Sequence, residues 1–478
     1  MALTGTNQTP MTKDDDRNKL HIAMFPWLAF GHILPYLELA KLFAQKGHQI
    51  SFISTPRNIQ SLPKLAPNLS PLINLVKLPL PSSGFNLPIE AESTSDLPIE
   101  KVLILKKAHD ALRDSLSDLL RSSKPDWLLF DFAAYWVPDM ARSIGLQNAY
   151  FSIFNAACLG YLGTEFPNYR TEPEDFIVPP KWVPFPSTVA YRKFEVSKFL
   201  KVLTGNDDDI SFLYRIIQTL RGCDVVAVRS CWELETEWLS LMADLLGKPV
   251  LPIGQLAPAV TYDDENDDIW KSTKQWLDFQ PKRSVVYVAF GSEALPNQDE
   301  LTEIAHGLEI SGFPFFWVLK TRPDSAELPT GFEERTRERG IVCTSWAPQL
   351  KILAHDSIGG FLSHSGWSSV VEALQFGIPL LLLAFINDQG LNAKLLDENM
   401  IGYMVPRDEN DGSFTRESVA ESVKLVVEKE EGKVYREKAK EMSPVFGDRE
   451  VQSKYVDEFL AFLKEYRTKS SKEEENTS

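Results

Sequence analysis

Between Trp346 and Gln389 the sequence reads Trp346-Ala347-Pro348-Gln349, then His364-Ser365-Gly366-Trp367-Ser368-Ser369, then Glu372, then Asp388-Gln389. Each part has a chemical use. Trp346 closes an apolar strand beside a proline that forces a turn, so an aromatic face is offered at a sheet edge, where a planar base can stack. His364-Ser365-Gly366 falls between a strand and a helix, where free N–H groups and the positive end of the helix dipole meet an incoming anion. That is a diphosphate cradle without metal. Ser368 and Ser369 add hydroxyls in the first helical turn. Glu372, about one turn further on, can accept both hydroxyls of a ribose. Asp388-Gln389 opens the next helix, and an acid–amide pair can hold sugar hydroxyls. The cradle's positive charge is expected from dipoles and His364.

A second constellation lies far upstream. His32 follows the first strand, and Asp131 ends a later parallel strand, so both point to one crevice. A neutral imidazole can take a proton from a hydroxyl as that hydroxyl attacks. A carboxylate behind it fixes the tautomer and stabilises the imidazolium, the logic of a hydrolase triad without the serine. Taken singly, each residue has a plainer use. His32 could cap its helix, a lone tryptophan belongs in a core, and a lone Asp-Gln starts a helix. Order, spacing and strand-end placement together favour the site.

The elements that must position these residues are legible. Leu20–Phe25 reads as a strand, Gly31-His32 as a turn, and Leu34 to Phe43 as a helix closed by Gly47, followed by the strand Gln49–Ser54. That is a βαβ unit with parallel strands. A helix over about 100–122 leads to the strand Trp127–Phe130, and another strand is predicted around Ala149–Ser152. The pattern restarts at Ser284–Phe290, with a helix over 298–311 and strands at Phe315–Leu319, Ile341–Thr344, Gly360–Leu362 and Leu380–Ala384. Helices are predicted over 367–376 and 389–398. Two αβ halves argue for two doubly wound domains. The boundaries read as a disordered segment 1–18, a first domain 19–254, a linker 255–270 with the acid-rich run from Thr261 to Asp268, a second domain 271–450, a helix 451–466 packing back on the first domain, and a disordered tail 467–478.

Composition excludes several classes. With 50 Lys and Arg against 66 Asp and Glu, the net charge of −16 repels phosphate backbones, so nucleic acid is a poor partner. Four cysteines, none in a CxxC pair, suggest neither zinc nor disulfides. The polar start lacks a signal-peptide core, and no apolar run approaches ~20 residues, so a cytoplasmic protein without a membrane span is expected. There is no GxGxxG after a strand, no GxxxxGK[ST] and no HExxH. Asp207-Asp208-Asp209 contains DxD, but in a polar loop where charge runs are usually solvated.

The stretch from Trp346 to Gln389 resembles the signature of plant family-1 UDP-sugar-dependent glycosyltransferases, which opens with Trp-Ala-Pro-Gln, centres on His-Cys-Gly-Trp-Asn-Ser, continues with a helical Glu and closes with Asp-Gln. The runs Phe25–His32 and Ser54–Ile59 resemble the family-91 branch, which extends existing glycosides. The resemblance spans Phe25 to about Leu463. It implies the GT-B fold, an α/β architecture of two facing Rossmann-like domains with an interdomain cleft, the acceptor held by the first and the donor by the second. It also implies roles. Trp346 stacks on uracil and Ala347 bonds it through the backbone; Gln349 and Glu372 take the ribose. His364, Ser369 and the Gly366–Trp367 backbone take the diphosphate, with Ser292 nearby, and Asp388 and Gln389 take the sugar. His32 and Asp131 match the catalytic pair. Two positions depart from the pattern: Ser365 replaces Cys with little consequence, and Ser368 replaces an Asn that in the family bonds phosphate. The shorter hydroxyl is expected to reach it only through water.

The expected activity is inverting, metal-independent transfer of glucose or rhamnose from a UDP-sugar to a sugar hydroxyl of a terpenoid or flavonoid glycoside, by a monomer needing no cofactor. First-sugar transfer to an aglycone is the nearest variant. A Rossmann-type oxidoreductase is disfavoured by the missing GxGxxG, and a non-catalytic sugar-nucleotide binder by the presence of both His32 and Asp131.

Overall fold

The computed structural model describes residues 19–477, apart from 82, 89, 99–100, 166–169, 171, 205–209, 261–267, 292–295 and 321–325. The first 18 residues, Asp207-Asp208-Asp209, most of the acid-rich run, and Ser292 therefore lie outside the described residues.

Short, mostly apolar runs form the strands; the central ones are buried on both faces, while the edge strands Ile73–Lys77 and Gly340–Cys343 are partly exposed. In the first half these are β1 (His21–Phe25), β2 (Gln49–Ser54), β3 (Ile73–Lys77), β4 (Trp127–Phe130), β5 (Gln147–Ser152), β6 (Val225–Val228) and β7 (Val250–Pro252). They make one parallel sheet in the order β3-β2-β1-β4-β5-β6-β7. The winding reverses between β1 and β4, where Phe25 lies opposite Phe130. Whatever follows these two strands emerges side by side at the carboxyl edge, where such sheets open a crevice.

The second half repeats the scheme with β8 (Val285–Ala289), β9 (Phe315–Val318), β10 (Gly340–Cys343), β11 (Ile358–Ser363), β12 (Leu380–Leu382) and β13 (Gly402–Met404). The order is β10-β9-β8-β11-β12-β13, again parallel. Its reversal falls between β8 and β11, with Ala289 opposite Ser363. Two Rossmann-like domains result.

The helices that matter for the site are α1 (Phe30–Gln45), α2 (Ala156–Leu162), α3 (Trp367–Leu374) and α4 (Gln389–Glu398). Side chains bridge the halves. Arg192 Nη2 lies 2.6 Å from Glu409 Oε1. Glu398 accepts from Thr188 N at 2.7 Å and Ser187 Oγ at 3.0 Å.

The last helix, α5 (Arg449–Thr477), starts beyond the second domain and returns to the first. Val456, Phe459, Leu460 and Leu463 fall on one helical face and are buried in the cluster that holds Phe43 and Trp127. The Trp127 indole donates to Leu463 O at 3.2 Å. Four such side chains at ~1.5–3 kcal/mol each are enough to fasten the helix.

Several boundaries correct the sequence reading. His32 is not in a turn before α1 but within its first turn, because Ala29 takes the N-cap with extended backbone and receives Ile33 N at 2.9 Å. The helix expected over 100–122 is two, Val102–Asp110 and Arg113–Ser123. The tail expected to be disordered from 467 continues α5 to Thr477; no glycine or proline follows Gly447 to stop it. At the start of the expected linker, Gln255 and Leu256 are buried, Gln255 between the halves and Leu256 in the first domain's cluster. Among the described residues no helix is long and apolar enough to cross a membrane.

Candidate active site

His32 and Asp131 meet at the reversal point of the first sheet. Asp131, the residue after β4, is almost fully buried, and its Oδ2 lies 2.7 Å from His32 Nδ1. Trp27 N donates to the same oxygen at 3.1 Å, and Phe132 N to Oδ1 at 2.7 Å. With two backbone N–H groups donating to it as well, Asp131 acts as acceptor and Nδ1–H of His32 as donor, leaving Nε2 turned away from the carboxylate. Phe132 and Phe154 flank the imidazole, their centroids 5.5 and 5.7 Å away. The His32 side chain is 12% exposed, so the ring is held on one side and open on another. This is the geometry of a general base oriented by a carboxylate.

The other sheet presents the second group of residues. Ser365 takes a left-handed conformation (φ 67°) between β11 and α3, turning the chain sharply into the helix. Such a turn before a helix gathers N–H groups that have no partner inside the helix. His364 is wedged between two glycines: a Cβ at Gly291 would lie 2.7 Å, and one at Gly366 2.5 Å, from its Nε2. Both positions therefore require glycine. Burial pushes the His364 imidazole down to about 4, against a backbone hydrogen bond at Ala289, so the ring is neutral in the free protein.

The ribose candidates are joined. Gln349 Nε2 donates to Glu372 Oε2 at 2.7 Å and to Ser369 Oγ at 3.3 Å, while its Oε1 accepts from Tyr287 OH at 3.1 Å. Burial pushes the Glu372 carboxyl above its usual range, and the Gln349 bond pulls it back. Trp346 does not close a strand: β10 ends at Cys343, and Trp346 lies on the loop beyond, 72% exposed. A flat aromatic left open at a sheet edge suits stacking. Ala347 beside it is buried.

Asp388 is the N-cap of α4, and Gln389 Oε1 accepts from Phe385 N and Ile386 N at 3.0 Å each. Asp388 Oδ2 accepts from Asn392 Nδ2 at 2.7 Å, and the same amide reaches Ser365 O at 3.1 Å. The turn before α3 and the acid before α4 are thus tied together.

Four residues missed from sequence complete the site. Asn155, the N-cap of α2, donates across the cleft to Asn392. Arg229, the residue after β6, donates from Nη1 to Ser368 Oγ at 2.8 Å and from Nε to Gln255 O at 2.8 Å. Gln255 Oε1 accepts from the Trp367 indole at 3.1 Å. The available signal was position: Arg229 ends the wholly apolar run Val225–Val228 at the same sheet edge as Asp131. Ser368 meets this guanidinium.

A two-domain GT-B frame, a His–Asp pair at one reversal point and a helix-end cradle at the other define a nucleotide-sugar-dependent glycosyltransferase. Comparison with known proteins agrees. The UDP-glucoronosyl and UDP-glucosyl transferase family matches residues 248–457. The chain is 53% identical to UDP-glycosyltransferase 91A1 of Arabidopsis thaliana, covering 94% of this chain and 98% of that one. It is 44% identical to soyasaponin III rhamnosyltransferase of Glycine max, covering 96% and 98%. In structure it is similar to UGT73P12 of Glycyrrhiza uralensis complexed with glycyrrhetinic acid 3-O-monoglucuronide, with a TM-score of 0.78 at 22% identity over 96% of this chain and 99% of that one. The chain belongs to the plant family-1 UDP-glycosyltransferases, in their family-91 branch.

Proposed function

We propose that this enzyme transfers glucose or rhamnose from its UDP-sugar to a sugar hydroxyl of a terpenoid or flavonoid glycoside, with inversion and without metal. The observation that carries the chemistry is the His32–Asp131 pair at 2.7 Å, on the edge of one sheet whose partner domain holds the donor cradle. His32 Nε2 takes the acceptor O–H proton as that oxygen attacks the anomeric carbon. The bond from that carbon to the diphosphate oxygen breaks, UDP leaves with the electron pair, and Asp131 stabilises the imidazolium. Trp346 and Ala347 hold the base, Gln349 and Glu372 the ribose, His364, Gly366, Trp367, Ser368 and Ser369 the diphosphate, Asp388 and Gln389 the sugar. One displacement on one face inverts the anomeric centre.

The acceptor class rests on the family-91 likeness and on the soyasaponin rhamnosyltransferase, whose name specifies a saponin substrate. Free thiols at Cys158, Cys223, Cys231 and Cys343 suit the cytoplasm, and a monomer suffices because one chain supplies every residue named. Mass spectrometry of products from a panel of glycosides and aglycones, each offered with UDP-glucose and UDP-rhamnose, tests the reading. Products lengthened by one sugar on the glycosides support it; exclusive reaction with aglycones overturns it.

A further inference from the structure

Arg229 is 2% exposed, on the acceptor domain, and its guanidinium crosses to the donor domain. Burial pushes its pKa down to about 10, which still leaves it charged at neutrality. Among the described residues no carboxylate pairs with it; Glu372 and Glu38 act on it only through their charge. Its direct partners are a backbone carbonyl, Gln255 O, and a hydroxyl, Ser368 Oγ. A buried cation without a counter-ion is costly. Here it is also set at the second residue of α3, against the end of a helix that is itself positive. Two like-signed features meet in a place shielded from water. An anion between them satisfies both.

The geometry points to Arg229 as a diphosphate-positioning residue: anchored by Gln255 and delivered to Ser368, it brings fixed positive charge from the acceptor domain to the donor's diphosphate. This rests on the donor reading of Trp346–Gln389. It accounts for the departure at Ser368. A short hydroxyl leaves room for the guanidinium, where a longer amide would compete with it. Because the cation comes from one domain and the cradle from the other, the diphosphate is gripped fully only when the halves are together. As the diphosphate leaves, its added charge develops beside a group already in place, so little reorganisation is needed.

Calorimetric titration of the full chain with UDP and with uridine separates this role from a structural one. Arg229→Gln is expected to weaken UDP at least about tenfold while uridine changes by less than about twofold, since only the charge-assisted contact to phosphate is lost. Arg229→Lys keeps the charge without the fork and is expected to fall between. Ser368→Asn is expected to weaken UDP in the native background but to restore it in the Arg229→Gln background, the two residues being alternative solutions. Thermal melting of Arg229→Gln without ligand is expected to stay near the native value, while its rise on adding UDP shrinks. Trp346→Ala serves as the control, weakening UDP and uridine alike. If Arg229→Gln leaves the UDP-to-uridine ratio unchanged while Trp346→Ala weakens both, Arg229 has no such role and the donor reading stands. If neither substitution affects UDP, both readings fall.

Discussion

Asn155 and Asn392 meet across the cleft, Nδ2 of the first donating to Oδ1 of the second at 2.9 Å. Asn155 caps α2 in the first domain; Asn392 holds Asp388 and Ser365 in the second. One buried amide therefore sets the carboxylate proposed to hold the transferred sugar. Asn155→Ser keeps a capping oxygen for Cys158 N but cannot reach Asn392. Losing one buried bond is worth about 1–3 kcal/mol, so kcat/KM for the UDP-sugar should fall about tenfold. Affinity for UDP, which lacks the sugar, should fall less, through Ser365 alone. An equal loss for UDP would show that Asn155 matters only for folding.

The base assignment is tested at His32 and Asp131. His32→Ala should lower kcat by a factor of about 10²–10⁴ with UDP affinity close to native. Asp131→Asn should lower it comparably, because an amide can offer its NH₂ to Nδ1 and turn the tautomer over. Full activity in the histidine variant would sink the mechanism.

Metal removal gives a third check. In the proposed cradle, Arg229 and the start of α3 would place positive charge without an ion. Transfer rates in excess chelator should match untreated enzyme. An absolute requirement for a divalent cation would overturn the proposed mechanism.

Stability should vary with pH through Glu235. Burial pushes its carboxyl from 4.5 up to about 7, although Ser230 Oγ and Ala157 N both donate to it. A folded value above the unfolded one means that the native state binds this proton more readily. The contribution is fully present below pH 4.5 and is lost as pH rises through about 7. Native stability relative to Glu235→Gln should therefore fall by about 3 kcal/mol across that window. Urea unfolding of both proteins at each end reads it; parallel pH curves would show that Glu235 does not titrate there.

The last helix is predicted to be structural. Leu463 is fully buried and its carbonyl receives the Trp127 indole. Leu463→Ala should cost about 2–5 kcal/mol, measured from the urea midpoint. A change below about 0.5 kcal/mol would mean that α5 is not docked in solution.

Much of this molecule can be read along the chain. The apolar run Trp127–Phe130 and the alternating run Gln49–Ser54 are strands with the expected limits, because their apolar side chains are buried in the sheet. Helices at 298–311 and 389–398 begin and end as expected, the first with Asn297 and Glu300 in a capping box and Gly312 beyond its last residue. Residues at strand ends, His364 and Asp131 among them, stand out because parallel sheets place their chemistry there. Where local signals conflict, a boundary shifts. His32 reads as a turn residue beside Gly31, yet the helix begins at Phe30.

Local periodicity and strand-end position depend on neighbours in sequence, so the amino-acid order alone reveals the two αβ halves, the candidate base and the donor stretch. The pairings that join the halves belong to the tertiary structure. Asn155 with Asn392, Arg229 with Ser368 and Gln255 with Trp367 each link residues more than 100 positions apart. Such a contact leaves no periodic trace in either segment. The packing of His364 against Gly291 and Gly366 belongs to the same class. Folding alone brings Arg229 of the first domain to Ser368 of the second.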